Sequence, residues 1–345
     1  MRRLDKTIRF CGVIFLGVLL LGCSEPQQTQ VSLQGATMGT YYSIKFVEQG
    51  RTLSAKEIQK GIDARLERIN DLMSTYRPDS ELSQFNQHRQ ESPYSISLAT
   101  ATVVREALRL SKLSAGAYDV TVGPSVNLWS FGPENRPDTI PIAQSIAQRK
   151  AQVGYHKLHV LEGNQLQKDV PGLYVDLSSI AKGYGVDDIA QYLQSEWHIK
   201  NFMVDIGGEI KAQGHNRLGQ PWRIAIEKPV AGQRSVQEVL AVKNKAIATS
   251  GDYRNYFEQQ GKRFSHLIDP RTGRPITNRV VSVTVLDDNC MTADGYATMF
   301  SILGEQESMT LADQEQIPVM LIVKTDQGFK EYRSEAFQRY VQSNK

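Results

Sequence analysis

Asp294 and Thr298 stand four residues apart in the stretch Met291-Thr292-Ala293-Asp294-Gly295-Tyr296-Ala297-Thr298-Met299-Phe300. On a helix this spacing puts a carboxylate and a hydroxyl one turn apart on the same face. Both are hard oxygen ligands of the kind Mg2+ or Ca2+ takes, and the carbonyl of Ala297 can complete the set. Thr292 is expected to cap the helix and so place Asp294 in its positive first turn. A capped helix with a solvated aspartate is the simpler alternative, and these residues alone do not separate the two.

A second stretch with chemistry runs Asp176-Leu177-Ser178-Ser179-Ile180-Ala181-Lys182-Gly183-Tyr184-Gly185. Leu173-Tyr174-Val175 predicts a buried strand that runs into polar Ser178 and Ser179 and then a helix, a geometry whose free N–H groups take phosphate. Lys182, in the first helical turn, opposes the helix dipole unless an anion joins it. The order of residues is neither the phosphate loop Gly-x-x-x-x-Gly-Lys-Ser/Thr nor the dinucleotide fingerprint Gly-x-Gly-x-x-Gly. Gly116-Ala117-Tyr118-Asp119-Val120-Thr121-Val122-Gly123-Pro124 predicts a strand and a turn. There Tyr118 can stack on an aromatic ligand while Asp119 accepts hydrogen bonds, a plain strand being the alternative.

Val204-Asp205-Ile206-Gly207-Gly208-Glu209 reads as a strand entering a Gly-Gly turn, and Thr249-Ser250-Gly251-Asp252-Tyr253-Arg254 groups hydroxyls with an arginine. His266 lies beside an Asp269-Pro270-x-x-Gly273 turn, where a structural histidine competes with a catalytic one. Cys290 reads as a small buried filler in preference to a reactive thiol.

These residues need elements to carry them. Thr40–Val47 is rich in β-formers and predicts a strand. Ser54-Ala55-Lys56-Glu57 is a capping box, followed at helical spacing by Ile58, Ile62, Leu66, Ile69 and Met73. Further helices are expected over 97–114, with Val104, Ala107 and Leu108 buried, and over 142–153, 180–196 and beyond Met291. Strands are expected at 157–161, 166–168, 173–176, 202–206, 222–226, 239–242, 280–286 and 319–323. Helices and strands fall into runs without strict alternation, which favours α+β, one large domain with a mixed or antiparallel sheet and flanking helices.

The N-terminus bears on location. Arg2, Arg3, Lys6 and Arg9 precede the apolar run Val13–Leu21, which is too short to span a bilayer and reads as an export signal. It ends in Leu20-Leu21-Gly22-Cys23, which resembles a bacterial lipobox. Residues 1–22 are therefore expected to be a signal peptide, Cys23 the lipidated residue, 23–34 the anchor and tether, and 35–342 the folded domain. Such a chain would be held to a membrane by lipid. The signal's four basic residues and one acidic residue account for the excess of 40 Lys+Arg over 37 Asp+Glu, so the remainder is neutral and gives no reason to expect nucleic-acid binding. With Cys11 in the signal and Cys23 lipidated, Cys290 has no cysteine to pair with inside the chain.

Taken in order, Met38-Gly39-Thr40, Ser74-Thr75-Tyr76, Gly116 to Pro124, Asp176 to Gly183, Gly207-Gly208, Thr249-Ser250-Gly251 and Ser265-His266-Leu267-Ile268-Asp269-Pro270-x-Thr-Gly resemble the ApbE family of FAD:protein FMN transferases. Any one of these motifs is weak, whereas the ordered set covers nearly the whole chain after the signal. The resemblance implies an α+β flavin-transferase fold, FAD as donor, Mg2+ as cofactor and a protein threonine or serine as acceptor. It implies that Met38, Tyr76, Ala117, Tyr118, Asp119, Asp176, Lys182 and Ile268 hold FAD. Ser179, Asp294, Ala297 and Thr298 match metal positions, Ser179 and Ala297 through their carbonyls, and His266 matches a residue that helps activate the acceptor. The implied partner is a flavin-acceptor subunit of a membrane redox complex with an Asp-Gly-x-Ser/Thr-Gly-Ala-Ser/Thr segment. That partner places the chain on the periplasmic side of the inner membrane, although Ser24 after the lipidated cysteine also permits the outer membrane. FAD hydrolysis to FMN and AMP, and non-catalytic flavin binding, are the competing functions.

Overall fold

The first hairpin shows how the architecture begins. Strand β1 (Gln30–Thr37) pairs antiparallel with β2 (Thr40–Val47) through a tight turn at Met38 and Gly39, both at positive φ. The computed structural model describes residues 29–48, 50, 52–134, 139–229, 236–251, 256–259 and 262–344. The expected signal, Cys23 and Ser24 lie outside the described residues, as does Asp252-Tyr253-Arg254-Asn255. Strand β1 starts at Gln30, within the stretch 23–34 expected as tether.

After β2 come α1 (Ala55–Met73), α2 (Glu81–Gln87), β3 (Tyr94–Ser95), α3 (Leu98–Leu113), α4 (Gly123–Leu128) and α5 (Ala143–Lys150). A small sheet is completed by β4 (Leu158–Leu161) and β5 (Gln165–Lys168), and α6 (Ala181–Ser195) follows. The hairpin β6 (Phe202–Ile206) and β7 (Glu209–Gln213) leads to a second, β8 (Trp222–Glu227) with β9 (Val236–Val242), and then to β10 (Lys245–Gly251). Short strands β11 (Tyr256–Gln259), β12 (Lys262–Ser265), β13 (Ile268–Asp269) and β14 (Arg274–Pro275) precede β15 (Val280–Asp287). The chain ends in α7 (Cys290–Leu303), α8 (Glu305–Gln314), β16 (Val319–Thr325), β17 (Gly328–Arg333) and α9 (Glu335–Ser343).

The main sheet has the order β1-β2-β6-β7-β10-β15-β16-β17, and every neighbouring pair is antiparallel. Helices α6 and α7 pack side by side on one face. The β8–β9 hairpin and α9 cover the other, where Trp222, Ile224 and Phe337 meet Ile247, Leu286 and Met320. Strands β15 and β16 are therefore buried on both sides, which explains their near-continuous apolar runs. The α+β expectation with an antiparallel sheet and flanking helices holds. No helix among the described residues is long and apolar enough to cross a membrane.

Two predicted strands are not strands. Gly116–Gly123 turns on itself after Ala115 and Gly116, at φ 48° and 83°, and its middle is held by side chains. Asp119 accepts the Thr121 N–H and hydroxyl at 2.8 and 2.7 Å and the Tyr155 N–H at 2.6 Å, bonds that take the place of a ladder. Segment 173–176 makes only one bridge, from Tyr174 to Val122, and the Asp176 N–H donates to the Val120 carbonyl at 2.8 Å.

Buried Lys168 braces that segment. Its Nζ donates to the carbonyls of Phe85, Asn86 and Leu173 at 3.1, 3.4 and 3.4 Å, with no carboxylate partner among these contacts. Asn86 in turn accepts the Val175 N–H at 2.7 Å and donates to its carbonyl at 2.9 Å, which fixes the approach to Asp176. Burial, aided by Arg89, lowers the Lys168 amine from its usual 10.5 to about 8. Between those values the unfolded chain holds a proton the folded chain lacks, so stability rises with pH there and the cost is constant below pH 8. Wild-type stability should gain roughly 3 kcal/mol from pH 8 to 10.5 relative to Lys168→Met, read from urea midpoints. Parallel pH dependences of the two proteins would exclude the effect.

Candidate active site

Gly183 lets α6 and α7 touch: a Cβ there would lie 2.3 Å from the Cys290 carbonyl oxygen and 2.7 Å from Met291 Cα. Gly295 likewise lets α7 meet α3, where a Cβ would lie 2.3 Å from Leu110 Cδ1. At the α6–α7 seam the Gly183 N–H donates to Asp294 Oδ2 at 2.9 Å, across 111 residues of sequence. Lys182 Nζ lies 3.6 Å from Asp294 Oδ1 and 3.1 Å from Glu209 Oε1. The two stretches singled out in the sequence are thus one site.

Charge fixes the seam as well as shape. Helix α6 presents Lys182 and Asp187, and β7 presents Glu209 and Lys211 two residues apart on the facing side. Lys182 pairs with Glu209, and Lys211 Nζ meets Asp187 Oδ1 at 2.6 Å. The other Asp187 oxygen accepts the Met291 N–H at 2.9 Å, so the carboxylate of one helix satisfies a free N–H at the start of the next. The expected cap, Thr292, does something else: it lies inside α7 and its hydroxyl donates to Glu106 Oε1 at 2.8 Å. With Asn289 at the cap position, Asp294 falls in the second turn instead of the first.

Asp294 and Glu209 are both buried, at 4% exposure each. Burial raises the Asp294 carboxyl, against the pull of Lys182 and the Gly183 N–H. Burial also raises the Glu209 carboxyl, with Lys182 opposing and Asp294 adding to the rise. Burial works against the charge of Lys182, but its two carboxylates override that and hold its amine above the usual range. Glu209 Oε2 has no hydrogen-bond partner. Two buried carboxylates thus share one ammonium, and an oxygen-rich site short of positive charge suits a hard divalent cation. Among the described residues no three His, Cys, Asp or Glu side chains are grouped to hold a metal, so the remaining donors must be other oxygens. Thr298 is half-buried one turn beyond Asp294, while the Ala297 carbonyl already accepts the Ser301 hydroxyl at 2.8 Å. Ser179 Oγ is 3.0 Å from the Tyr118 hydroxyl.

Around this centre the flavin candidates take different parts. Met38 packs between two core clusters beside Gly185. Tyr118 is 1% exposed, so its ring offers no face for stacking, contrary to expectation. Its hydroxyl binds Ser179 and its phenol is pushed up by burial. Asp119 spends one oxygen on Thr121 of its own loop and the other on the distant Tyr155 N–H, and burial raises its carboxyl despite these donors. Ala117 packs with Leu267 and Ile302, and Asp176 accepts the Ser178 N–H at 2.9 Å. Tyr76 is exposed and its hydroxyl donates to the Phe131 carbonyl at 3.4 Å. His266 is half-buried with Phe131 edge-on to its ring at 6.4 Å, and Ile268 is buried with Trp129 and Ile146. Tyr76, Phe131 and His266 therefore form a neighbouring group, and Leu267 against Ala117 links it to the Tyr118 loop.

Cys290 is the buried filler expected: its thiol faces the Ile210 carbonyl at 3.7 Å, and burial holds it in the protonated form. Glu209 is the residue sequence reasoning missed. Its signal was the alternation Glu209, Lys211 facing the opposite charges of Lys182 and Asp187. A cavity of about 740 Å3 opens by the β8–β9 hairpin, lined by Tyr41, Ser43, Asp205 and Ile224 among others. None of Lys182, Asp294 or His266 lines it.

Residues 38–321 match the ApbE family profile. A Vibrio cholerae protein named FAD:protein FMN transferase is 59% identical over 324 residues, covering 94% of this chain and 96% of its own. A Haemophilus influenzae protein of the same name is 46% identical, covering 96% and 98%. Among solved structures, the flavin transferase ApbE from Vibrio cholerae superposes with a TM-score of 0.85 at 58% identity, covering 90% of this chain and 99% of that one. The apo flavinyl transferase ApbE of Pseudomonas stutzeri gives 0.85 at 35% identity, covering 92% and 98%.

Proposed function

The chain belongs to the ApbE family, and on that footing we propose that it is a FAD:protein FMN transferase, moving the FMN half of FAD onto a hydroxyl of another protein. The observation that carries the reading is the Lys182–Asp294 contact across the α6–α7 seam. Phosphoryl transfer depends on positioning and on neutralising charge at the phosphates. Lys182 supplies a fixed cation at the start of α6, where the helix dipole also favours an anion. Asp294, with Thr298 beyond it and the carbonyls of Ser179 and Ala297 as further candidates, would hold Mg2+. Bound there, the ion supplies charge neutralisation at the diphosphate.

In the reaction the acceptor's serine or threonine oxygen bonds to the FMN-side phosphorus. The anhydride P–O bond breaks, and AMP leaves with the bridging oxygen. His266 is the residue we assign to take the hydroxyl proton. Met38, Tyr76, Asp176 and Ile268, with the Ala117–Asp119 loop, would form the walls that orient FAD. Tyr118 and Asp119 contribute by shaping that loop, since their side chains are already engaged.

We also place the protein on the periplasmic face of the inner membrane, anchored through Cys23, with a subunit of a membrane redox complex as acceptor. The support is the signal-like start and lipobox; cell fractionation would decide against it by recovering the protein with the outer membrane.

The test combines anchor-free protein, FAD, Mg2+ and an acceptor domain. Covalent FMN on the acceptor with an equal yield of AMP is expected, and excess chelator should lower the rate by roughly 100-fold or more. FMN and AMP without adduct would make the protein a hydrolase, and intact FAD would make it a carrier. Undiminished transfer in chelator would remove the metal from the reading.

A further inference from the structure

Lys182 has one ammonium and two carboxylates to serve. It lies nearer Glu209, at 3.1 Å, than Asp294, at 3.6 Å. Asp294 is the carboxylate a divalent cation needs, and its Oδ2 is already held by the Gly183 N–H. Ammonium and metal therefore contend for the same oxygen, Asp294 Oδ1. A cation held against a carboxylate must be displaced or moved before another can take its place.

Glu209 is built to receive it. It opens β7 directly after Gly207 and Gly208, both at positive φ, and is fixed by antiparallel pairing with Ile206. Its Oε1 meets the ammonium, and its Oε2 is buried with no partner, free to accept from the same ammonium. The second cation on the strand, Lys211, is committed to Asp187, so it does not compete for Glu209 in the same way.

We propose that Glu209 is a positioning residue that holds the Lys182 ammonium off Asp294 and thereby sets the affinity of this chain for its divalent cation. The proposal rests on the metal assignment made above. When the cation binds Asp294, the ammonium shifts onto both oxygens of Glu209 and stays beside the diphosphate site. Without Glu209, Asp294 would be the only carboxylate left to Lys182, and the metal would have to displace the ammonium from it.

Mn2+ binding to the anchor-free chain without FAD tests this, by electron paramagnetic resonance of free Mn2+, in wild type, Glu209→Gln, Lys182→Met and the double variant. Glu209→Gln should bind Mn2+ about tenfold more weakly and Lys182→Met about threefold more tightly. The double variant should match Lys182→Met within about twofold, because the effect of Glu209 runs through the ammonium. Far-UV circular dichroism and melting curves check the fold, and Glu209→Asp, which keeps the charge, should recover most of the affinity. Wild-type affinity in Glu209→Gln overturns the proposal. A weakening that persists without Lys182 also overturns it, since Glu209 would then be a ligand itself. A wild type that binds no Mn2+ removes the metal assignment together with the proposal, whereas the FMN-transfer assay reports separately on the reaction.

Discussion

Asp294→Ala is expected to lower FMN transfer by roughly 1,000-fold or more while the protein still folds. Activity should collapse because the substitution removes the only carboxylate that Lys182, the Gly183 N–H and the proposed cation share. The fold should survive because two buried carboxylates on one ammonium are an electrostatic excess, and deleting one leaves a balanced Lys182–Glu209 pair. Asp294→Asn keeps an acceptor for Gly183 and should melt closer still to wild type, yet be as inactive. Initial rates of adduct formation, melting temperature and Mn2+ affinity should be measured on the same preparations. Transfer at the wild-type rate in either variant would sink the assignment of Asp294.

The largest effect on stability is expected at Gly183. In an exposed helix, Gly→Ala gains up to about 1 kcal/mol. Here the added Cβ would meet the Cys290 carbonyl and Met291 Cα, backbone atoms that cannot rotate aside. Relief requires α6 and α7 to separate, which breaks the Gly183–Asp294 hydrogen bond and unseats Lys182. Gly183→Ala should therefore cost about 3 kcal/mol and abolish transfer. Gly185→Ala is the matched control two residues on: its Cβ would meet the flexible Met38 Cε at 3.2 Å, so a small change is expected. Equal urea midpoints for Gly183→Ala and wild type would show that the helices adjust without loss.

What could be read from the sequence follows from how local each cause is. Ser54 caps α1, its Oγ accepting the Glu57 N–H as one half of the expected capping box, and Ile58, Ile62, Leu66, Ile69 and Met73 are the buried stripe of α1. Ser97 caps α3, and the apolar runs at 202–206, 222–226, 280–286 and 319–323 are strands. Short helices such as α2, and α8 and α9 near the C-terminus, went unread because few apolar positions mark them. The strand expected at 116–123 failed because β-forming residues were outweighed by turn chemistry: Asp119 draws in Thr121 and Tyr155, the latter from 36 residues away.

The site was half legible. Asp294 and Lys182 could be named, but their pairing depends on Gly183, whose purpose appears only when two helices meet. Glu209 looked like the end of a hairpin because nothing local tells which charge a strand will face. The cap on α7 misled for the same reason: it comes from Asp187, on another helix, instead of from Thr292.

The long separation of the groups that meet at the α6–α7 seam has a kinetic consequence. Lys182 and Glu209 lie 27 residues apart along the chain, whereas Asp294 is supplied far later, on a helix packed against β10 and β15. Closing such a loop is slow compared with forming α6 or the β6–β7 hairpin. The site is therefore expected to be completed after α6 and the β6–β7 hairpin have formed. Catalytic competence should be among the last properties gained in refolding, appearing after secondary structure by stopped-flow measurement.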